Sequence, residues 1–185
     1  STHPYYFGNL GVVKDEIEGI KILKGIEANI IDYDGTIDMP EDVVGKLDYV
    51  IASLHPPCID FGTIEENTQA ILKVMDNPEV KIIGHLDDSR YPVDYETIVK
   101  KAKDKGVLLE INNSSLRPNS FSVGAIEYGK VLLNLCKKYE TKVINYYEKF
   151  AVDNLSKCRY LMSEGDVWNC IRYLFIAPSI LDAIY

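Results

Sequence analysis

The chain has 185 residues, 46% of them apolar and 26% charged, with 28 acidic against 20 basic side chains and a net charge of −8. That length fits one domain with a proper core. The acidic balance excludes a general nucleic-acid or anionic-membrane surface, which needs a basic face, but leaves room for a small anionic ligand if an ion inverts the local field.

In chain order, the "HPYYF" segment reads as a loop with an aromatic cluster. Residues 20–31, "IKILKGIEANII", have the β-branched content of a strand, and "DYDG" at 32–35 supplies turn chemistry after it. A short helix is predicted over 41–47, with Pro40 near its start, and "YVIASLH" (49–55) is the next strand. Thr63 and Glu66 form a capping-box pattern that opens a helix over 63–77. A strand at 80–85 follows, then a helix over 94–106 closed by Gly106. The remaining pattern is a strand at 107–113, a helix over 124–140, a strand at 142–147 and one or two amphipathic helices in 152–185.

Short connections and strands that are apolar on both faces predict a mostly parallel sheet covered by helices, either a barrel or an open doubly wound sheet. The cysteines Cys58, Cys136, Cys158 and Cys170 show no CxxC spacing, the pattern of reduced thiols in a cytoplasmic protein. No signal peptide is read, and no run approaches the roughly 20 apolar residues of a membrane span.

The polar residues at the strand ends carry the functional signal. Glu27, His55, His85 and Asn112 follow successive apolar runs at separations of 28, 30 and 27 residues. A spacing of about 30 residues is one strand–helix unit returning to the same rim of a sheet, where parallel α/β folds build their sites. Two imidazoles and a carboxylate are ordinary ligands for zinc, iron or manganese, and such an ion brings bound water near ionisation at neutral pH. Pro56 and Pro57, lacking backbone N–H groups, would take the chain out of the sheet directly after His55. Against this stands the plainer reading of each histidine as a hydrogen-bonded core residue.

The stretches "HPYYFGNL", "GIEANI", "DYVIASLHPP", "IIGHLDD" and "LLEINNSSLRPNS" occur across residues 3 to about 140. In order and spacing they resemble the PHP (polymerase and histidinol phosphatase) superfamily, in particular its small bacterial phosphatase-like branch. The resemblance implies an α/β fold, a distorted (β/α)7 barrel with mostly parallel strands and outer helices. It also implies one to three divalent transition-metal ions (zinc, manganese or iron) and hydrolysis of a small phosphate ester by metal-bound hydroxide. Glu27, His55 and His85 match family metal ligands, with Glu27 bridging two ions.

The departures are equally specific. The family's opening HxH and TDH strands have no counterpart here, so the barrel over 1–150 is expected to be incomplete. Tyr147 and Lys149 stand where the family has the Asp and His of a GSDxH strand end. Residues 151–185 align little with the family pattern and are expected to pack as a divergent helical tail on the same domain.

Asn112 and Arg117 are the candidates for binding phosphate, against a polar turn and a surface arginine. Asp87 and Asp88 either orient His85 or begin a solvated loop, and Cys58 is a weak candidate for a soft ligand. The partner expected is a small phosphorylated substrate, with no nucleic acid and no membrane. The alternative is a non-catalytic scaffold that keeps at most one ion and acts through ligand binding or through a homo-oligomer or partner covering its exposed sheet edges.

Overall fold

Five β-rich runs pair in strict chain order. The computed structural model describes residues 4–17, 19–112, 115 and 120–144. A 3-10 segment, Pro4–Val12, replaces the loop expected around "PYYF". It leads into an antiparallel pair, β1 (Glu16–Ile17) and β2 (Ile20–Lys21). The main sheet then runs β3 (Gly25–Asn29), β4 (Tyr49–Ser53), β5 (Val80–Ile83), β6 (Leu108–Glu110) and β7 (Val143–Ile144). Every neighbouring pair in it is parallel.

Between these strands lie α1 (Glu41–Val44), α2 (Ile64–Val74), α3 (Tyr95–Lys105) and α4 (Ala125–Tyr139). Each crossover advances one strand in the same direction. With right-handed crossovers, that order keeps the helices on one face. The sheet is therefore a singly wound arc of barrel type, which decides between the two architectures left open by the sequence. Among the described residues, β3 and β7 form its two edges.

The core lies between the sheet and the longer helices. Ala28, Val50, Ala52, Ile83 and Leu109 from the sheet join Ile71, Val74, Ile98, Val99 and Leu132 from the helices in one buried cluster. The helix limits follow local chemistry. Thr63 accepts from the Glu66 backbone N–H while the Glu66 carboxylate accepts from that of Thr63, a complete capping box. Gly106 takes φ 70°, a left-handed cap that few side chains tolerate, and ends α3. Thr63→Ala is expected to destabilise the fold by about 1 kcal/mol, read from the urea unfolding midpoint.

The predicted strand over 20–31 is broken in two. Ile22 donates its N–H to the Asp15 carbonyl in register with the β1–β2 pair, whereas Lys24 donates its own to the Asp48 carboxylate, so the chain leaves one sheet before it joins the other. The helix predicted over 41–47 ends at Val44, and the chain tightens into i to i−3 turns through Leu47. No helix among the described residues is long and apolar enough to cross a membrane. The proposed tail, 151–185, lies outside the described residues, as do His3, Asn113, Ser114, Arg117, Tyr147, Glu148 and Lys149.

Candidate metal centre

Three side chains meet at the carboxyl ends of the first three main-sheet strands. Glu27 lies within β3, His55 two residues beyond β4, and His85 two residues beyond β5. Their donor atoms form a small triangle. His85 Nε2 is 3.0 Å from Glu27 Oε1 and 3.0 Å from His55 Nε2, and His55 Nε2 is 3.4 Å from Glu27 Oε1. Around an ion with bonds of about 2.1 Å, ligand atoms stand about 3.0 Å apart at octahedral angles and about 3.4 Å at tetrahedral ones. The donor set and its spacing fit a divalent transition ion.

Each corner is held in place. Ser53, two residues before His55 on β4, donates its hydroxyl to Glu27 Oε1 at 2.8 Å. His55 Nδ1 lies 2.8 Å from Asn29 Oδ1. Asn29 sits two residues after Glu27 and therefore projects from the same face of β3. The Asp38 carboxylate accepts from the Asn29 backbone N–H at 2.8 Å and from its side-chain amide at 2.6 Å. His85 takes φ 22°, and its backbone N–H donates to Glu110 Oε2 at 3.2 Å. A non-glycine residue in that region persists only where its surroundings fix it.

The electrostatics separate the three groups. The hydrogen bond from His85 is the main cause holding the Glu27 carboxyl down at about 2; burial opposes it, and Ser53 reinforces it. Burial, then the charge of His85, lowers the imidazole of His55 below the ordinary value. Burial also pulls His85 down, but the hydrogen bond and charge of Glu27, with the charges of Glu110 and Asp87, outweigh it and raise that imidazole. Asp87 and Glu110 are both shifted upward by burial.

The other candidates fall out differently. Asp87 is 2% exposed and one of its oxygens has no hydrogen-bond partner among the described residues. It bonds the Ser115 hydroxyl, and the His85 ring has its hydrogen bonds with Glu27 and His55. Asp88 grips Arg90, so it caps a loop and leaves the imidazole alone. Cys58 donates its backbone N–H to the His55 carbonyl, and its thiol stays out of the cluster. Asn112 stands two residues beyond β6 on the same rim, its carbonyl accepting from Ser115.

No family model matches the chain. It is, however, 45% identical over 170 residues to a protein of Clostridium novyi named "probable phosphatase", covering 90% of this chain and 69% of that one. A "probable phosphatase" of Clostridium acetobutylicum is 41% identical over 170 residues, with the same two shares, 90% and 69%. The chain belongs to this family of probable phosphatases. A further member, from Clostridium botulinum, is 46% identical over 140 residues, which is 76% of this chain and 56% of the relative.

Within this phosphatase-family chain, sequence reasoning passed over Asn29, Ser53, Gly84 and Glu110. A Cβ at Gly84 would stand 2.2 Å from Ser53 Oγ and 3.2 Å from Ile51 Cγ2. The absence of a side chain there lets Ser53 reach Glu27. Gly84→Ala is expected to turn the Ser53 hydroxyl away and cost about 1–3 kcal/mol of stability. Thermal unfolding and zinc titration of that variant would both shift; an unchanged pair of values would contradict the packing.

Proposed function

We propose that the chain is a metal-dependent phosphoesterase of the PHP class, acting on a small phosphate ester at the Glu27–His55–His85 centre. The observation that carries this reading is the donor triangle, with edges of 3.0, 3.0 and 3.4 Å, on the rim of a parallel sheet. The names of the relatives support the reaction class. Glu27, His55 and His85 would hold a zinc, manganese or iron ion, which would supply Lewis-acid polarisation and a water near ionisation at neutral pH.

The chain's own groups do the rest. Before an ion enters, Glu27 is already a carboxylate across the physiological range, because His85 and Ser53 both donate to it. The two imidazoles close the remaining corners, and Glu110 holds the His85 backbone from behind. The local field also calls for a cation. Glu27, Asp87 and Glu110 gather here, and the guanidinium in the loop after β5, Arg90, is paired with Asp88. A phosphate dianion is repelled from such a rim unless a positive ion stands between. We assign the phosphate itself to Asn112 and Arg117, a carboxamide donor and a planar guanidinium suited to two parallel bonds.

Elemental analysis of the purified chain, paired with hydrolysis of a generic aryl phosphate, tests the reading. Expected are a bound transition ion and turnover that a chelator removes and manganese or zinc restores. No bound ion and no turnover in supplemented buffer would sink it. A bound ion without turnover would instead favour the non-catalytic scaffold.

A further inference from the structure

The loop that leaves β3 comes back alongside it. Ile30 and Ile37 form an antiparallel bridge, and the Asp38 N–H donates to the Asn29 carbonyl at 3.0 Å. At the tip of that loop, Asp32 Oδ1 accepts from the N–H groups of Asp34 and Thr36 and fixes the turn. Asp38 is thus delivered beside Asn29 by backbone pairing, independently of the metal centre. Its two oxygens then grip Asn29 at two points, the main-chain N–H at 2.8 Å and the side-chain NH₂ at 2.6 Å.

That double grip has a chemical consequence for His55. A carboxylate only accepts, so the amide group facing Asp38 must be the NH₂. The Asn29 carbonyl oxygen is then the atom turned toward His55, 2.8 Å from its Nδ1. A carbonyl cannot donate, so Nδ1 must carry the proton. In a neutral imidazole this leaves Nε2 bare, and Nε2 is the atom that faces Glu27 and His85 at 3.4 and 3.0 Å.

We propose that Asn29 and Asp38 are positioning residues: through Asn29, Asp38 locks His55 in its Nδ1–H tautomer and aims the Nε2 lone pair into the centre. The proposal rests on the reading that Glu27, His55 and His85 hold a cation. Without Asp38 the Asn29 amide is free to rotate half a turn. Its NH₂ would then donate to Nδ1, move the imidazole proton to Nε2 and block the ligand atom. Partners of this kind typically change metal affinity by about 10–100-fold.

With only three histidines in the chain, nitrogen NMR can follow His55 individually. We would record the tautomer in the ion-free protein at about pH 8, above the ordinary imidazole range, and measure zinc affinity by competition with a chelator. Wild type, Asp38→Ala and Asn29→Leu would be compared. The wild type is expected to show Nδ1–H with bare Nε2. Both variants are expected to mix or reverse the tautomers and bind zinc about 10–100-fold more weakly.

Asn29→Asp, which keeps an acceptor toward Nδ1, is expected to retain the wild-type tautomer even though it weakens the grip of Asp38. A purely structural role for Asn29 would lower the melting temperature without moving the tautomer, and that result overturns the proposal. So does a wild type carrying the proton on Nε2. A wild type that binds no zinc, while its His55 tautomer still follows Asn29 and Asp38, overturns the metal reading and supports the relay.

Discussion

His85→Ala is expected to abolish transition-ion binding and, with it, hydrolysis of phosphate esters. His85 Nε2 is the apex of the triangle, 3.0 Å from each of the other two donor atoms. Removing it leaves one imidazole and one carboxylate, a pair too sparse to hold an ion against water. The loss should exceed the roughly 10–100-fold cost of deleting a hydrogen-bonding partner of a ligand. The change acts on Glu27 as well, because the His85 hydrogen bond is the main cause of its depressed pKa.

The same variant leaves Glu27, Asp87 and Glu110 facing one another without the imidazole whose charge moderates all three. Two measurements separate the effects: bound metal by elemental analysis, and the melting temperature with and without manganese. Wild type should be stabilised by the ion through mass action, and His85→Ala should show no such gain. Equal ion content in the two proteins would remove His85 from the centre and leave the proposed chemistry without support.

The triad was legible because a parallel strand–helix unit returns the chain to one rim about every 30 residues. Glu27, His55 and His85 keep that interval whatever the details of the intervening helices. Asn29 and Ser53 were legible by a rule left unused. Side chains two apart on a strand share a face, which puts Asn29 beside Glu27 and Ser53 beside His55. Asp38 is different in kind. Its place depends on the bridge between Ile30 and Ile37, a pairing that no local pattern announces.

Gly84 is invisible for a similar reason, since its role appears only when Ser53 of the neighbouring strand packs over it. The strands themselves were read too long. Leu54 is buried and extends the apolar run of β4, yet pairing stops at Ser53. Burial, which the sequence reports, continues past the point where ladder hydrogen bonds end. Arc and doubly wound sheet share one alternation of strands and helices, and only the strand order tells them apart.

Acidification is expected to weaken ion binding in two stages, because the three proposed ligands lose their protons in different ranges. Glu27, held near 2, is already a carboxylate throughout any practical titration and adds no slope. His85 is raised above the ordinary 6.5, so it is the first of the three to take up a proton on acidification, and an incoming ion must expel that proton. Below that raised value the affinity should fall about tenfold per pH unit, one proton competing with one ion. His55 is lowered below 6.5 by burial first and by His85 second, so its proton enters the competition only under more acidic conditions. There the slope should double to about a hundredfold per unit. Calorimetric titration of zinc in two buffers of different ionisation heat counts the protons directly. The expected count is greater than zero at pH 6.5 and rises toward two on further acidification. A count of zero at that pH would show that the ion does not displace the His85 proton, and would place the binding site elsewhere.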